Sequence, residues 1–128
     1  KELLINTFES VYLQNNGDGT FELKPLPSLA QVSKVMTMMN EDVNNDGNLD
    51  VIIGGNFNGA SMYQAQYDGF FGLILLGDGK GNFKASVPTD NGLLMNGNIR
   101  DFKVVLTPKG KRYFAVRNKH TMQIFKHL

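Results

Sequence analysis

The sequence predicts an all-β fold in which short strands pair into antiparallel sheets. Fourteen glycines, many of them directly after asparagine or aspartate, mark tight turns between apolar stretches. Two of these stretches, residues 51–53 and 73–76, are continuously apolar, which is typical of strands covered on both faces. The chain also repeats itself, because a shift of 62 residues places one glycine-rich turn on another. Repeated hairpins packed face to face account for all three observations.

The repeat sets the order of the strands. A shift of 62 places residues 12–21 on residues 74–83, and both segments have the pattern strand, glycine-rich turn, strand. A shift of 63 places Gly47 and the apolar strand after it on Gly110 and residues 114–116. The chain therefore divides into groups of two, four and three strands. The predicted strands cover residues 10–14, 20–25, 34–42, 49–55, 70–77, 82–86, 98–106, 112–117 and 121–126.

Prolines and turn residues delimit these strands. Three prolines (Pro25, Pro27 and Pro88) stand at or after strands predicted to lie at sheet edges, where a missing N–H is tolerated. Residues 28–34 and 88–98 are then the crossings between sheets, and a short helical turn is predicted near residues 28–31. The turns at 15–19 and 77–81 each carry one carboxylate and precede no helix, so we interpret them as hairpin turns rather than phosphate or cation loops.

The most informative motif is the loop between the third and fourth strands. Oxygen-bearing side chains stand at its positions 1, 3, 5 and 9, and glycine stands at position 6. Calcium prefers six to eight oxygen ligands, which this spacing can supply. Position 12 is Ile53 rather than glutamate and the flanking residues are strand-like, so the loop is not an EF-hand. The predicted ligands are the side chains of Asp42, Asn44, Asp46 and Asp50 and the carbonyl of Asn48.

The second copy of this loop has lost its ligands. At the 63-residue shift, the four side-chain positions are occupied by Val105, Thr107, Lys109 and Tyr113, so one calcium loop is predicted. In the intact copy, neighbouring carboxylates repel by about 1 kcal/mol per pair even in water, and a divalent cation removes that repulsion. The ion is expected to be structural, because protein oxygens would saturate it. An acidic hairpin without a metal is the alternative.

The loop also carries a family resemblance. The stretch from Asp42 to Asn56 resembles the core of an FG-GAP repeat, also called a VCBS repeat, and residues 75–83 resemble its second half. Residues 54–69 resemble bacterial secreted proteins of the ASPIC/UnbV-associated type. The resemblance covers nearly the whole chain. It implies four-stranded β-propeller blades, as in the integrin α head, with calcium in the loop.

Under this resemblance the chain is a single partial propeller domain of about two blades, over residues 1–128. Residues 1–27 end one blade, residues 28–88 form a complete blade with the calcium loop, and residues 89–128 form an incomplete last blade. The fragment is expected to be the C-terminal piece of a longer protein. Its partners are expected to be the remaining blades or further copies of the same chain.

An insertion within the complete blade, residues 56–72, is the best candidate for ligand recognition. It combines aromatic rings with amide side chains, which suit sugar rings, and loops at a propeller rim commonly bind ligands. The alternative is that these aromatic rings pack on their own blade. The candidate contacts are Asn56, Phe57, Asn58, Tyr63, Gln64, Tyr67 and Asp68.

Charge is unevenly distributed along the chain. Residues 1–99 hold five basic and eleven acidic side chains, a net charge of −6, whereas residues 100–128 hold eight basic and one acidic, a net charge of +7. A solvated basic face beside an acidic one is one interpretation, and a contact surface for an anionic partner is the other. We expect the basic end to pack against an acidic surface of the adjacent blade or of another subunit. Nucleic acid is not expected, because interleaved aromatic residues are few there.

The sequence favours a non-catalytic binding or scaffolding module of a secreted or cell-surface protein, with a carbohydrate or protein ligand. No Ser–His–Asp arrangement or HExxH motif is apparent, and His120 and His127 are expected at the surface. Part of a carbohydrate-active enzyme, with the 56–72 loop contacting polysaccharide, is the alternative. A purely structural repeat is a third class.

Calcium and composition bear on location. The absence of cysteine excludes disulfides and thiol chemistry but not secretion, and no apolar stretch reaches membrane-spanning length. Because calcium is scarce in the cytosol, we expect an extracellular, periplasmic or cell-surface location in a bacterium.

Overall fold

Nine strands in three antiparallel sheets make up the computed structural model, which describes residues 4–59 and 67–126. The sheets have the orders β1–β2, β3–β4–β5–β6 and β7–β8–β9, so each strand pairs with its neighbour in sequence. The predicted all-β class and the grouping of two, four and three strands are confirmed. The strands are β1 Val11–Asn15, β2 Phe21–Pro25, β3 Val35–Glu41, β4 Asp50–Gly55, β5 Leu73–Gly77, β6 Phe83–Ser86, β7 Ile99–Thr107, β8 Gly110–Arg117 and β9 Gln123–Phe125.

Three strands (β5, β8 and β9) begin more than one residue away from the predicted position, and the first two do so for an identifiable reason. β5 begins at Leu73 rather than at residue 70, because Phe70 hydrogen bonds to the side chain of Asn56 instead of joining the ladder. β8 begins at Gly110 rather than at residue 112, because the β7–β8 turn is tight and Thr107 already pairs with Gly110. In both places the hydrogen-bond partner of a residue, and not the hydrophobic pattern, determines where the strand begins.

The two central strands of the four-stranded sheet, β4 and β5, are buried on both faces, as their continuously apolar sequences predicted. On one face, Ile52 and Ile74 pack against Phe102 of β7 and Ala115 of β8. On the other face, Ile53, Leu73 and Leu75 pack against Ala30 and Phe70 from the connecting segments. Because successive residues of a strand point to opposite faces, neighbouring isoleucines serve two different core layers. The ring of Tyr12 in β1 meets Phe83 of β6 edge-on at 5.4 Å between centroids.

The internal repeat is visible in the backbone. Asn16 N donates to Thr20 O at 3.1 Å, and 62 residues later Asp78 N donates to Asn82 O at 3.2 Å. The β3–β4 pair shifts register between Val35 and Thr37, and the β7–β8 pair shifts register at the equivalent place, between Ile99 and Asp101. The prediction that the two glycine-rich segments form hairpin turns is confirmed.

The connections between sheets are short. Ser28–Gln31 forms a single 3₁₀ turn, as predicted, and Pro88–Asn91, at the start of the predicted 88–98 crossing, forms one turn of helix, α1. Proline at the first helical position favours this turn, since its φ is already helical and its missing N–H is not required there. Within residues 4–59 and 67–126, no helix is long and apolar enough to cross a membrane.

Candidate functional site

The predicted calcium loop is the connection between β3 and β4. Glu41 and Asp50 are the last paired residues of the two strands, so the loop closes a hairpin at one end of the four-stranded sheet. Asn45 and Gly47 have φ angles of 60° and 87°, which curl the chain back on itself. Glycine and asparagine adopt this left-handed conformation more readily than other residues do, so the sequence of the loop matches its shape.

Side chains at loop positions 1, 3 and 5 gather inside this curl. The N–H of Asp46 donates both to Asp42 Oδ1 at 3.1 Å and to Asn44 Oδ1 at 3.0 Å. Gly47 N donates to Asp42 Oδ2 at 3.0 Å, and Asn44 Nδ2 donates to Asp46 Oδ2 at 2.8 Å. The Asn48 N–H, which donates to Asp46 Oδ1, and then the Asn44 amide hold the pKa of Asp46 below its ordinary value. The structure thus brings three of the predicted ligands together.

Asp50, at loop position 9, is turned towards the protein interior. It is fully buried, and its two oxygens accept from Val43 N at 3.0 Å and from Gly77 N at 2.9 Å. The Val43 contact keeps the carboxylate beside the loop, and the Gly77 contact ties it to the end of β5. Asp50 therefore joins the loop to the next hairpin of the same sheet.

The oxygens of the loop could contact a calcium ion, but the carboxylates alone do not surround one. Each carboxylate oxygen has about two acceptor positions, so the N–H contacts of Asp42, Asp46 and Asp50 leave lone pairs for an ion. Among the described residues, no three side chains of the histidine, cysteine, aspartate and glutamate types form a group that could hold a metal ion. Hard, neutral oxygens from Asn44 and from the Asn48 carbonyl would have to complete a calcium site.

A cavity of about 360 Å³ separates this loop from the β7–β8 turn. Glu41, Asp42 and Asn45 line its acidic side. Four basic side chains line the opposite side: Lys109, Lys111, Arg112 and Lys126.

One ion pair crosses this cavity. Lys111 Nζ donates to Glu41 Oε1, and Glu41 raises the pKa of Lys111. Tyr113 is 6% exposed beside this pair, and burial followed by the Glu41 charge raises the pKa of its hydroxyl. The basic end of the chain thus meets an acidic residue of the adjacent sheet, in the direction that the charge distribution predicted.

Asn56, predicted as a ligand contact, is buried at the beginning of the insertion. It is 1% exposed and has a φ of 79°. Its amide nitrogen donates to Phe70 O at 2.6 Å and to Gly97 O at 3.2 Å, and its oxygen accepts from Phe70 N at 3.0 Å. These bonds fasten the beginning of the insertion to its end and to the connection before β7.

Phe57 and Tyr67 form a β-bridge across the base of the 56–72 insertion, which is called its neck below. They pair through two backbone hydrogen bonds, with N···O distances of 2.9 and 3.2 Å. The ammonium of Lys34 lies 4.8 Å from the Phe57 ring centre and 5.2 Å from that of Tyr67, and the guanidinium of Arg100 lies 5.6 Å from the Phe57 ring. Cations over these ring faces form favourable cation–π contacts. Lys34, just before β3, and Arg100, in β7, could not be found from sequence, since no local pattern links either residue to this loop.

The remaining predicted contacts divide into two groups. Asn58 and Asp68 are exposed near the neck, and Tyr67 is 44% exposed. Tyr63 and Gln64 lie outside the described residues. His120 is exposed, as predicted, whereas His127 lies outside the described residues. The role of the insertion in ligand binding stays a prediction.

Comparisons with family models, with curated proteins and with solved structures found no match for this chain.

Proposed function

We propose that this chain is a calcium-binding segment of an FG-GAP-type β-propeller that serves as a non-catalytic binding or scaffolding module of a secreted or cell-surface bacterial protein. The observation that carries the proposal is the β3–β4 loop. Its oxygens at positions 1, 3 and 5 gather inside one curl, and a buried carboxylate at position 9 stands beside them. A four-stranded sheet whose central strands are buried on both faces supports the assignment to stacked blades.

The proposed ion would be structural. When bound, calcium would offset the mutual repulsion of the loop carboxylates and cross-link the two ends of the loop. Asp42 and Asp46 would supply side-chain oxygens and charge, Asn44 a neutral oxygen, and Asn48 its carbonyl. Asp50 would hold the loop against the end of β5 through the Gly77 N–H.

Thermal unfolding with and without calcium tests the proposal. A ligand present at 100 times its dissociation constant stabilises the native state by about 2.7 kcal/mol, which raises the melting temperature of a domain of this size by several degrees. We expect that rise in calcium relative to EDTA for the wild type. Asp46→Asn removes one charged ligand with little change of shape, and it should abolish most of the rise. Asp68→Asn removes an exposed carboxylate elsewhere and should preserve it.

An unchanged melting temperature in calcium and EDTA, together with no calcium binding by calorimetry, would refute the metal part of the proposal. The binding role has a separate test. A glycan array with the labelled protein is expected to show binding without product release. Turnover of a polysaccharide would favour the carbohydrate-active enzyme instead.

A further inference from the structure

The basic side of the cavity beside the β3–β4 loop has more charge than its acidic neighbours offset. Four basic side chains and two carboxylates line the cavity, which leaves a net charge of +2. Of these basic residues, only Lys111 forms an ion pair among the described residues, and its partner is Glu41. Asp42 accepts from two backbone N–H groups of its own loop and has no ammonium or guanidinium nitrogen within 4.0 Å among the described residues. Lys109, Arg112 and Lys126 therefore line the cavity with no carboxylate within 4.0 Å in the described part of the chain.

The cavity is too large for a single small ion. Its volume of about 360 Å³ is equal to roughly a dozen water molecules at about 30 Å³ each. That volume lies at the lower end of the range of small-molecule sites. The polar side chain of Asn45 also lines the cavity, and Asn45 is fixed at a φ of 60° by the curl of the loop. A ligand of this size would carry polar groups as well as charge.

We propose that this cavity binds a small anionic ligand whose carboxylate or phosphate group contacts Arg112 and Lys126. Arg112 Nη1 donates to Lys111 O at 2.7 Å, and the other two nitrogens of its planar guanidinium can present two parallel N–H groups to a carboxylate or phosphate. A lysine ammonium adds a point charge. The Lys111–Glu41 pair forms a neutral part of the wall, so Glu41 does not oppose an anion. The site does not depend on the proposed calcium, since its anion contacts come from β8 and the segment after β9.

Titrations of the 128-residue protein with three small molecules test this proposal. Glucuronate and inorganic phosphate supply the two anionic groups, and glucose supplies the size of glucuronate without its charge. Binding is followed by the backbone amide shifts of residues 109–113 in two-dimensional NMR, in calcium and in EDTA. We expect at least one anion to shift these amides and glucose to leave them unchanged. Binding should also weaken as salt is added, because the contacts are exposed to solvent.

Matched variants locate the site. Arg112→Gln and Lys126→Gln each remove one cation, and each is expected to weaken anion binding by about tenfold, because charge-assisted hydrogen bonds are lost. Lys84→Gln removes an exposed cation of β6, away from the cavity, and should bind like the wild type. The melting temperature of each variant shows whether it is folded.

Three results would overturn the proposal. They are the absence of amide shifts with both anions, equal shifts with glucose, and unchanged affinity in folded Arg112→Gln and Lys126→Gln proteins. If neither anion binds while calcium still raises the melting temperature, this proposal is wrong and the proposed calcium-binding function is unaffected. If calcium has no effect on the melting temperature and an anion binds, the anion site is supported and the calcium part of the proposed function is refuted.

Discussion

At the scale of single residues, a buried carboxylate links two neighbouring hairpins. Asp50 is 0% exposed and accepts one hydrogen bond from each of two backbone N–H groups, those of Val43 and Gly77. A buried donor that loses its acceptor costs far more than a surface contact, because it has no water to replace the partner. The stability of the loop and of the end of β5 therefore depends on one side chain.

Asp50→Ala is expected to lower the free energy of unfolding by about 2–4 kcal/mol, since it leaves two backbone donors without acceptors. Urea unfolding followed by circular dichroism measures this change. Glu9→Ala alters an exposed carboxylate outside the sheets and should change the free energy by no more than about 0.5 kcal/mol. A loss for Asp50→Ala as small as that of Glu9→Ala would show that the two N–H groups find other partners.

The turn after β5 has an acid-sensitive carboxylate. The side-chain amide of Asn82, followed by the backbone N–H groups of Lys80 and Asn82, lowers the pKa of Asp78 from 3.8 to about 2. A pKa that is lower in the folded state means that this contribution to stability is present above about pH 4 and is lost as the pH falls towards 2. The turn should therefore loosen only in strong acid.

Carbon-detected NMR titration of the Asp78 carboxyl is expected to give a pKa of about 2 in the wild type. Asn82→Ala removes the largest cause and should move the pKa part of the way back towards 3.8, because the Lys80 N–H remains. Asn16→Ala in the equivalent turn of the first sheet should leave it unchanged. A wild-type pKa that already equals that of the Asn82→Ala protein would contradict the hydrogen-bond assignment.

At the scale of elements, the two glycine-rich turns are alike in backbone but different in surroundings. Gly19 and Gly81 occupy the same turn position, with φ angles of 86° and 82°. A Cβ added at Gly19 would meet nothing within 4 Å, whereas one at Gly81 would come within 2.8 Å of the Tyr12 ring. The difference arises because β1 packs its Tyr12 ring beside the β5–β6 turn.

Alanine at these two positions separates backbone strain from packing. Both substitutions carry the strain of a positive φ, about 1–2 kcal/mol, but Gly81→Ala must also displace the Tyr12 ring. We expect Gly81→Ala to lower the free energy of unfolding clearly more than Gly19→Ala, as measured by urea unfolding. Equal losses would mean that the β1–β2 hairpin does not pack on the β5–β6 turn in solution.

The strands could be predicted from sequence because their signals are local. Asn-Gly and Asp-Gly turns and runs such as residues 73–76 act over a few positions, and together with the 62- and 63-residue repeat they predict the order of the nine strands that the described residues form. The contacts that shape the candidate site are distant in sequence. Asp50 bonds to Gly77 over 27 residues, and Asn56 bonds to Gly97 over 41. No periodicity indicates which loop a side chain contacts, so the burial of Asn56 and its bonds to Phe70 and Gly97 could not be predicted from sequence.

At the scale of the whole molecule, the three sheets form a stack whose two outer faces remain apolar in the described structure. On the first sheet, Leu13, Phe21 and Leu23 are each more than half exposed. On the third sheet, Val116 and Ile124 are 40% and 56% exposed. Contiguous apolar surface of this kind is typical of a contact face. The proposed occupants are further blades or another copy of the chain.

The 128-residue chain on its own is expected to self-associate, because burying these outer faces removes apolar surface from water. Size-exclusion chromatography with light scattering should give a mass above that of one chain, which falls with dilution. Leu23→Lys and Ile124→Lys each place a charge on one outer face and should shift the distribution towards the monomer. Glu22→Lys, on the opposite side of β2, is the matched control. A monodisperse wild-type monomer with a cooperative melt would show that the three sheets are sufficient by themselves.

The closed neck of the insertion has a consequence for how this protein can change over time. Asn56 and the Phe57–Tyr67 bridge fix the two ends of the insertion to each other and to the sheets. Beyond such a clamp, doubling the length of a loop costs only about 0.6 kcal/mol in closure entropy. We therefore expect a change in the length of the insertion to cost little stability, because the bonds of Asn56 and the Phe57–Tyr67 bridge hold its two described ends together. A loop held in this way can change its length and sequence while the sheets keep theirs, which is how surface loops come to differ between proteins of one fold.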